Sequence, residues 1–300
     1  MHGTFRCRAV LIQFVLILGF GLVSCTSPFT PNATATPLEP SPTPLPPTAT
    51  PEPAAVVVNG DSVTEVSFQA ELARYKSAQA ALGKTVTDEQ ARNTVLDDLV
   101  TQLLLAQGAR AAGFDLSESA LQSRVDALAN QLGGADKLSA WESGHGYTGE
   151  SFRDSLRLAV EAAWMRDKIV AAVPTTADQV HVQQILLYNQ ENAQAVLQQL
   201  KDGADFNELA ERYDPNARGE LGWFPKGYLL DPKIEAAAFD LQVGQISEVI
   251  QTDAGFHILK VLERDAQHPL SPDAYLTMQE LAMKDWVTQQ RTQATVVLTP

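Results

Sequence analysis

The sequence predicts an α+β fold, with a helical region first and a compact region of helices and strands after it. In the first region, apolar residues recur at helical spacing in several segments, and capping residues precede them. In the second, residues 219–264 are punctuated by glycines and end in an alternating apolar run, a pattern typical of turns and strands. A last helix is predicted after Ser271-Pro272-Asp273, because serine and proline are favoured at helix starts.

The composition is that of a folded, acidic protein. The chain has 300 residues, of which 45% are hydrophobic, and this length suits roughly two domains of about 150 residues each. Its formal net charge is −14. Such a surface argues against nucleic acid or an anionic membrane surface as the main partner. It suits basic or unfolded polypeptides.

Residues 1–24 are predicted to be a targeting signal. Arg6 and Arg8 precede a nearly all-apolar run at residues 9–22, which is short for a membrane span. The run ends in L-V-S-C at residues 22–25, which resembles a bacterial lipobox. That resemblance implies cleavage before Cys25, a diacylglycerol anchor on it and an extracytoplasmic location at the cell membrane. An ordinary signal peptide or membrane anchor that contains a cysteine remains the alternative.

Residues 25–54 are predicted to be a disordered tether. Ten prolines stand among threonine, alanine and serine, a composition that cannot bury a core and favours extended polyproline II segments. The only cysteine besides Cys25 is Cys7, within the signal. We therefore expect a mature protein without an intramolecular disulfide.

Residues 55–175 are predicted to form a helical domain. It opens with a hairpin, in which Asn59-Gly60 joins two short strands. The residues predicted to cap helices are Thr87, with Gln90 in a capping box, Ser117 and Thr148. The apolar residues repeating at helical spacing are Phe68, Leu72, Tyr75, Leu96, Leu99, Leu103, Leu121, Val125, Leu128, Phe152, Leu156, Val160 and Trp164. These stripes indicate a packed core rather than a site.

Residues 176–266 are predicted to form the compact domain. Residues 180–187 alternate like a strand, and further strands are predicted at residues 245–250 and 256–262. Three helices are predicted between the first strand and the last two. They cover residues 192–200, the segment after Asp205 and the segment after Asp231.

Three ordered motifs in this compact domain carry a family resemblance. They are G-E-L-G-W-F at residues 219–224, A-A-A-F-D-L-Q-V-G-Q-I-S at residues 236–247 and G-F-H-I-L-K-V at residues 255–261. Together they resemble the second half of a parvulin-type peptidyl-prolyl isomerase domain. The resemblance implies a β-α-α-α-β-β order, with a small antiparallel sheet wrapped by helices.

The helical region resembles the N-terminal part of SurA- and PrsA-like periplasmic chaperones. The matching motifs are V-V-N-G at residues 57–60, L-D-D-L-V at residues 96–100 and F-R-D-S-L-R at residues 152–157. This resemblance implies that the C-terminal helix, in residues 270–300, returns to the helical domain and completes it. The isomerase-like domain would then be inserted between the two parts.

The reaction of a parvulin needs geometry rather than covalent chemistry. Rotation about an X–Pro bond crosses a barrier of about 18–20 kcal/mol, because the amide has partial double-bond character. No bond breaks, so we expect no nucleophile, metal or cofactor. Apolar surface for the proline ring, exclusion of water and a polar network that tolerates loss of amide resonance would suffice.

The resemblance assigns three catalytic candidates. His257 occupies the position of the second family histidine, and Gln184 stands where the first histidine is expected. We predict that the Gln184 amide hydrogen-bonds His257, directly or through a water. His181 is three residues away from Gln184, so the alternation of a strand turns it to the opposite face. Asp214 is the candidate for the family's Asp/Cys position, with an Asp-Pro turn as the equal alternative.

The resemblance also assigns the substrate-binding surface. The residues are Leu229 or Leu230 at the pocket methionine, Ile234 at the pocket phenylalanine, Phe239, and Trp223 and Phe224 in support. The first functional hypothesis is therefore a lipid-anchored peptidyl-prolyl isomerase that acts on unfolded or proline-containing exported polypeptides. The alternative is a weakly active or inactive chaperone of the same build, which binds unfolded segments.

Overall fold

The computed structural model describes residues 52–298. The predictions on the signal peptide, on Cys25 and on most of the proline-rich tether lie outside the described residues. Within residues 52–298, no helix is both long enough and apolar enough to cross a membrane.

The first seven elements form a hairpin followed by five helices. They are β1 (Ala54–Val58), β2 (Asp61–Thr64), α1 (Glu65–Ala81), α2 (Asp88–Ala111), α3 (Glu118–Leu132), α4 (Ala135–Gly144) and α5 (Gly149–Ala171). The predicted caps are confirmed, since Thr87 and Gln90 form a reciprocal capping box and Ser117 and Thr148 begin α3 and α5. Each cap satisfies backbone N–H groups that the first helical turn leaves unpaired.

The end of the chain returns to this region. Helix α9 (Pro272–Gln293) packs on α2 and α5, and its Trp286 contacts the apolar clusters of both helices. The final strand β7 (Val296–Leu298) pairs antiparallel with β1, which gives a three-stranded sheet in the order β2-β1-β7. Strand β7 was not predicted.

Asn59 joins the hairpin to the end of the chain. Its backbone lies in the left-handed region, at φ 51°, which asparagine tolerates better than most residues. Its N–H donates to the Thr295 carbonyl at 2.9 Å, and its side-chain oxygen accepts from the Thr295 N–H at 2.8 Å. Its side-chain amide also donates to Gln107 of α2. The Asn-Gly turn therefore fixes β1, α2 and the C-terminal segment together.

The remaining elements form a four-stranded antiparallel sheet with three helices. They are β3 (Thr176–Leu187), α6 (Gln190–Lys201), α7 (Phe206–Tyr213), β4 (Glu220–Pro225), α8 (Pro232–Asp240), β5 (Ile250–Thr252) and β6 (Gly255–Pro269). The strand order is β4-β3-β6-β5. With the helical region and the returning C-terminal helix, this confirms the predicted α+β fold class; the domain boundaries stay predictions.

Two details of the predicted element order were wrong. The motif at residues 219–224 is largely strand β4, so the order is β-α-α-β-α-β-β. The predicted strand at residues 245–250 is mostly irregular, because it exchanges only scattered bonds with β6: the N–H of Gly244 donates to Val261, and that of Ser247 donates to Leu259. Only Ile250, at its end, belongs to β5.

The sheet separates two apolar clusters. On one face, Ile185, Leu187 and Ile258 pack under α6 and α7. On the other, Val180, Val182, Leu259 and Val261 pack with Phe224 and with α8. Alternation along β3 and β6 therefore buries both faces near their middle, as expected for a sheet covered on two sides.

Candidate active site

Gln184 and His257 meet on the sheet face that α8 covers. Strands β3 and β6 pair antiparallel with Gln184 opposite Leu259, which puts His257 at the diagonal position. The Gln184 Oε1 lies 2.9 Å from the His257 Nδ1. The predicted hydrogen bond between these two side chains is confirmed, and it is direct.

Thr252 completes a chain of three polar side chains, and the sequence did not reveal it. Its Oγ1 lies 2.8 Å from the His257 Nε2 and also accepts the N–H of Ala254 at 3.1 Å. The turn at residues 253–254 folds β5 back onto β6, so Thr252 reaches the imidazole from the neighbouring strand. A short turn just before the histidine motif was the signal that could have identified it.

The hydrogen bonds fit a neutral imidazole. The Gln184 Oε1 can only accept, so Nδ1 carries the proton and Nε2 accepts from the Thr252 hydroxyl; this proton placement follows from the assigned orientation of the glutamine amide. Burial lowers the pKa of His257, and the Asp231 carboxylate opposes that shift only partly. His257 is 6% exposed. The site therefore holds an uncharged, oriented imidazole.

Most of the predicted apolar residues join one cluster beside this chain. Ile234, Phe239 and Phe224 are buried, and Leu229 packs against them half-buried. Phe224 and Phe239 meet edge to face, with 6.2 Å between ring centroids. Leu230 is different: it is fully exposed, and it lies just before Asp231, which caps α8. Leu230 is therefore not part of the apolar cluster.

Trp223 lies on the wrong face to line this site. In β4 it is the neighbour of Phe224, and adjacent residues of a strand point to opposite sides. Its ring stacks on His268 with 3.9 Å between ring centroids and on His181 with 5.4 Å. The prediction that Trp223 supports substrate binding beside His257 is thus corrected by the alternation of β4.

Asp214 organises the loop that precedes β4. Its two carboxylate oxygens accept the N–H groups of Ala217, at 3.0 Å, and Gly219, at 3.1 Å, and these bonds lower the pKa of its carboxyl group. Among the hydrogen bonds of residues 52–298, Asp214 makes none to the His257 or Gln184 side chain. This geometry is that of a turn. The sequence analysis gave an Asp-Pro turn as the alternative to a catalytic role for Asp214.

Gly219 carries the Asp214 loop onto β3. The N–H of Gln184 donates to the Gly219 carbonyl at 2.7 Å. Gly219 has φ +70°, and a Cβ there would lie 1.8 Å from the Gln184 carbonyl oxygen. Only glycine fits, so this residue fixes the backbone of the strand that holds the Gln184 amide.

Glu235 fixes the loop that carries Leu229. Its carboxylate accepts the N–H of Gly227 at 2.7 Å and that of Leu229 at 3.2 Å. The sequence did not single out Glu235, because a glutamate in the first turn of a helix has an ordinary explanation in the helix dipole. Here it ties α8 to the apolar side of the site.

Comparison with protein families agrees with both halves of this architecture. Residues 173–263 match the family described as PPIC-type PPIASE domain, also called rotamase. Residues 48–137 match the family described as SurA-like N-terminal domain. The first match covers most of the sheet, the Gln184–His257–Thr252 chain and the apolar cluster beside it.

Individual relatives show the same two likenesses. Foldase protein PrsA of Halalkalibacterium halodurans is 27% identical over 232 residues, which cover 67% of this chain and 69% of the relative. Foldase protein PrsA of Oceanobacillus iheyensis is 41% identical over 88 residues, 28% of this chain and 29% of the relative. Chaperone SurA of Methylobacillus flagellatus is 33% identical over 144 residues, 41% of this chain and 33% of the relative.

Proposed function

We propose that this chain, which has a PpiC-type peptidyl-prolyl isomerase domain behind a SurA-like N-terminal domain, is a foldase that isomerises X–Pro bonds in exported polypeptides. The observation that carries the proposal is the hydrogen-bonded chain Gln184–His257–Thr252 beside a buried apolar cluster. The names of its relatives, foldase and chaperone, support it.

The site suits rotation about an amide. A twisted amide has lost its resonance and is less polar than a planar one, so surroundings without charge favour it. The His257 ring is neutral, and both its nitrogens are engaged by uncharged groups. The half-buried Leu229, at the edge of the cluster that Ile234 and Phe239 form, would offer apolar surface to a proline ring. Gln184 replaces an imidazole and cannot titrate, so the proposed mechanism uses no proton transfer between two histidines.

We propose in addition that the protein acts outside the cytoplasm on a lipid anchor at Cys25. The support is the lipobox-like sequence at residues 22–25 and the proline-rich composition of residues 26–51. The two acyl chains of a diacylglycerol hold a protein at a membrane more stably than one chain does. The tether would hold the folded part away from the lipid surface. The partners would be unfolded or proline-containing polypeptides.

A protease-coupled assay on a proline-containing peptide tests the activity. We expect His257→Ala to lower kcat/KM by about tenfold or more, since it removes the imidazole that links Gln184 and Thr252 in the hydrogen-bonded chain. The matched control is His181→Ala, which removes an imidazole from the opposite face of the same sheet and is expected to leave the rate unchanged. Circular dichroism confirms that both variants are folded.

The same assay separates the isomerase from the alternative of a chaperone without catalysis. Gln184 in place of an imidazole and the structural use of Asp214 favour that alternative. If the unmodified protein is no faster than the His257→Ala/Asp214→Ala double variant, the isomerase proposal is wrong. Suppression of the aggregation of an unfolded protein would then be the activity to measure.

A further inference from the structure

Strand β7 leaves one edge of its sheet open. It pairs only with β1 among residues 52–298. Its three side chains are 39–53% exposed although all are apolar: Val296, Val297 and Leu298. Proteins commonly cover or charge such an edge, because its free N–H and C=O groups invite another strand.

The register identifies which groups face outward. The Asn59 N–H donates to the Thr295 carbonyl, and the Thr295 N–H returns a bond to the Asn59 side-chain oxygen. This places Asn59 and Thr295 at a hydrogen-bonded position of the ladder, and such positions recur at every second pair. Val57 and Val297 form the next such pair. The N–H and C=O groups of Val296 and Leu298 therefore point away from β1, toward the open edge.

An apolar groove runs alongside this edge. A cavity of about 310 Å³ lies between β7 and α2 and is lined by Val296, Leu298, Leu96 and Val100. A second cavity, of about 670 Å³, lies between α9 and α5 and is lined by apolar residues that include Leu276, Met283, Val287 and Val170. Asp97 and Arg291, paired at 2.6 Å, border both.

Arg291 adds a polar feature at the junction. Its guanidinium terminal nitrogens bond Asp97 and Thr101. Its Nε–H is buried and has no acceptor among residues 52–298. An unpaired buried donor is costly, so Arg291 is held at this junction by the bonds of its terminal nitrogens alone.

We propose that the open edge of β7 and the adjoining groove bind an extended, apolar polypeptide segment, which adds to the sheet as a fourth strand. The inference rests on the proposed foldase function for the nature of the ligand. Backbone bonds to Val296 and Leu298 hold the segment, and its alternate side chains enter the groove between β7 and α2. This mode of binding recognises apolar residues rather than proline, so the site is distinct from that of His257.

The size of the edge favours such a segment over a second copy of the chain. A stable interface between proteins needs about 1,000 Å² of buried surface or more. Strand β7 offers three residues, and the groove beside it holds about 310 Å³. A short strand with main-chain hydrogen bonds fits these dimensions, and its modest affinity suits a client that must be released.

The test uses a fluorescent, proline-free peptide of alternating valine and threonine, with fluorescence anisotropy as the readout. Val296→Pro removes an outward N–H and no bond to β1, so the fold is retained, as proline is tolerated on a strand edge. We expect it to weaken binding by about tenfold. Val296→Thr, which keeps the N–H, is the matched control and is expected to bind like the unmodified protein.

Two further measurements make the result decisive. Leu298→Asp, whose side chain lines the groove between β7 and α2, is expected to weaken binding, and N-methylation of alternate residues of the peptide is expected to abolish it. Unchanged binding in both Val296→Pro and Leu298→Asp would overturn the proposal, and so would dimerisation through β7 in sedimentation velocity. Isomerase activity is measured in parallel and is expected to be unchanged in Val296→Pro; its absence from the unmodified protein would count against the proposed function, not against this site.

Discussion

The two faces of the four-stranded sheet each carry a histidine, and the two environments differ in kind. His257 is 6% exposed and is bonded by an amide and a hydroxyl. The side chain of His181 is 21% exposed, lies 2.6 Å from a Glu220 oxygen and 3.3 Å from a Glu263 oxygen, and stacks on Trp223.

The difference shows which features distinguish a buried site from a surface pair between a histidine and carboxylates. Both histidines lie in strands of one sheet, and alternation alone separates their faces. Uncharged partners and burial hold the His257 ring neutral and oriented. Carboxylate partners and contact with solvent make His181 part of a surface polar pair, which ordinarily contributes little to stability. The following predictions test this contrast, beginning with the largest effect.

Of the substitutions considered, Gly219→Ala should destabilise the protein most, and it acts on the strand that carries Gln184 beside His257. The new Cβ would lie 1.8 Å from the Gln184 carbonyl oxygen, at a φ of +70°, so the loop must leave β3. We expect a loss of roughly 3–5 kcal/mol in the free energy of unfolding. Urea denaturation followed by circular dichroism measures it.

Gly222→Ala is the matched control for that substitution. Gly222 has nearly the same φ, +74°, but a Cβ added there would have no neighbouring atom within 4 Å. Only the backbone strain remains, about 1 kcal/mol. Equal losses in the two variants would show that the contact with Gln184 does not matter.

Thr252→Val should weaken the polar chain without removing the imidazole. It deletes the hydroxyl that bonds His257 and that accepts the Ala254 N–H. We expect a loss of about 1–2 kcal/mol in stability and of about tenfold in kcat/KM for a proline-containing peptide. Thr252→Ser keeps the hydroxyl and should retain most of both. A serine variant as impaired as the valine variant would contradict this role.

The stability of the protein should fall as the pH drops below the ordinary pKa of histidine, about 6.5. Burial lowers the pKa of His257 in the folded state. As the pH falls, His257 is therefore protonated in the unfolded chain before it is protonated in the folded protein, and this favours unfolding. The loss grows until the pH reaches the folded-state pKa, and above about 6.5 there is no effect. His257→Gln should flatten this part of the pH profile relative to His181→Gln.

His181→Ala should have the smallest effect. It removes an imidazole from an exposed pair with Glu220 and Glu263, and such pairs contribute about 0–1 kcal/mol. We expect a change within that range and an isomerase rate like that of the unmodified protein. A large loss of activity would remove the distinction between the two faces.

Much of the fold was predictable because the local signals agree with one another. The caps at Thr87, Ser117 and Thr148 and the Asn59-Gly60 turn are read directly from residue type. Strand β7 was not, since three apolar residues at residues 296–298 carry no periodicity, and their strand exists only through pairing with β1.

The site was predictable where a sequence motif and strand alternation place a residue on a known face of the sheet. It was not predictable where a residue's role depends on how a turn brings two strands together. The position of His257 and alternation along β3 were enough to pair it with Gln184. The same alternation should have separated Trp223 from Phe224, which lie next to each other in β4. Thr252 was missed because its role depends on how the turn after β5 brings it to the imidazole.

The bonds between Asn59 and Thr295 have a consequence for the order in which the two regions can fold during synthesis. Residues 236 positions apart in the chain hold the helical region closed, whereas the sheet around His257 lies wholly within residues 176–269. The isomerase fold can therefore be complete while synthesis continues. The helical region stays one strand short until residues 296–298 have emerged, so the catalytic part of the molecule can fold before the helical region is complete.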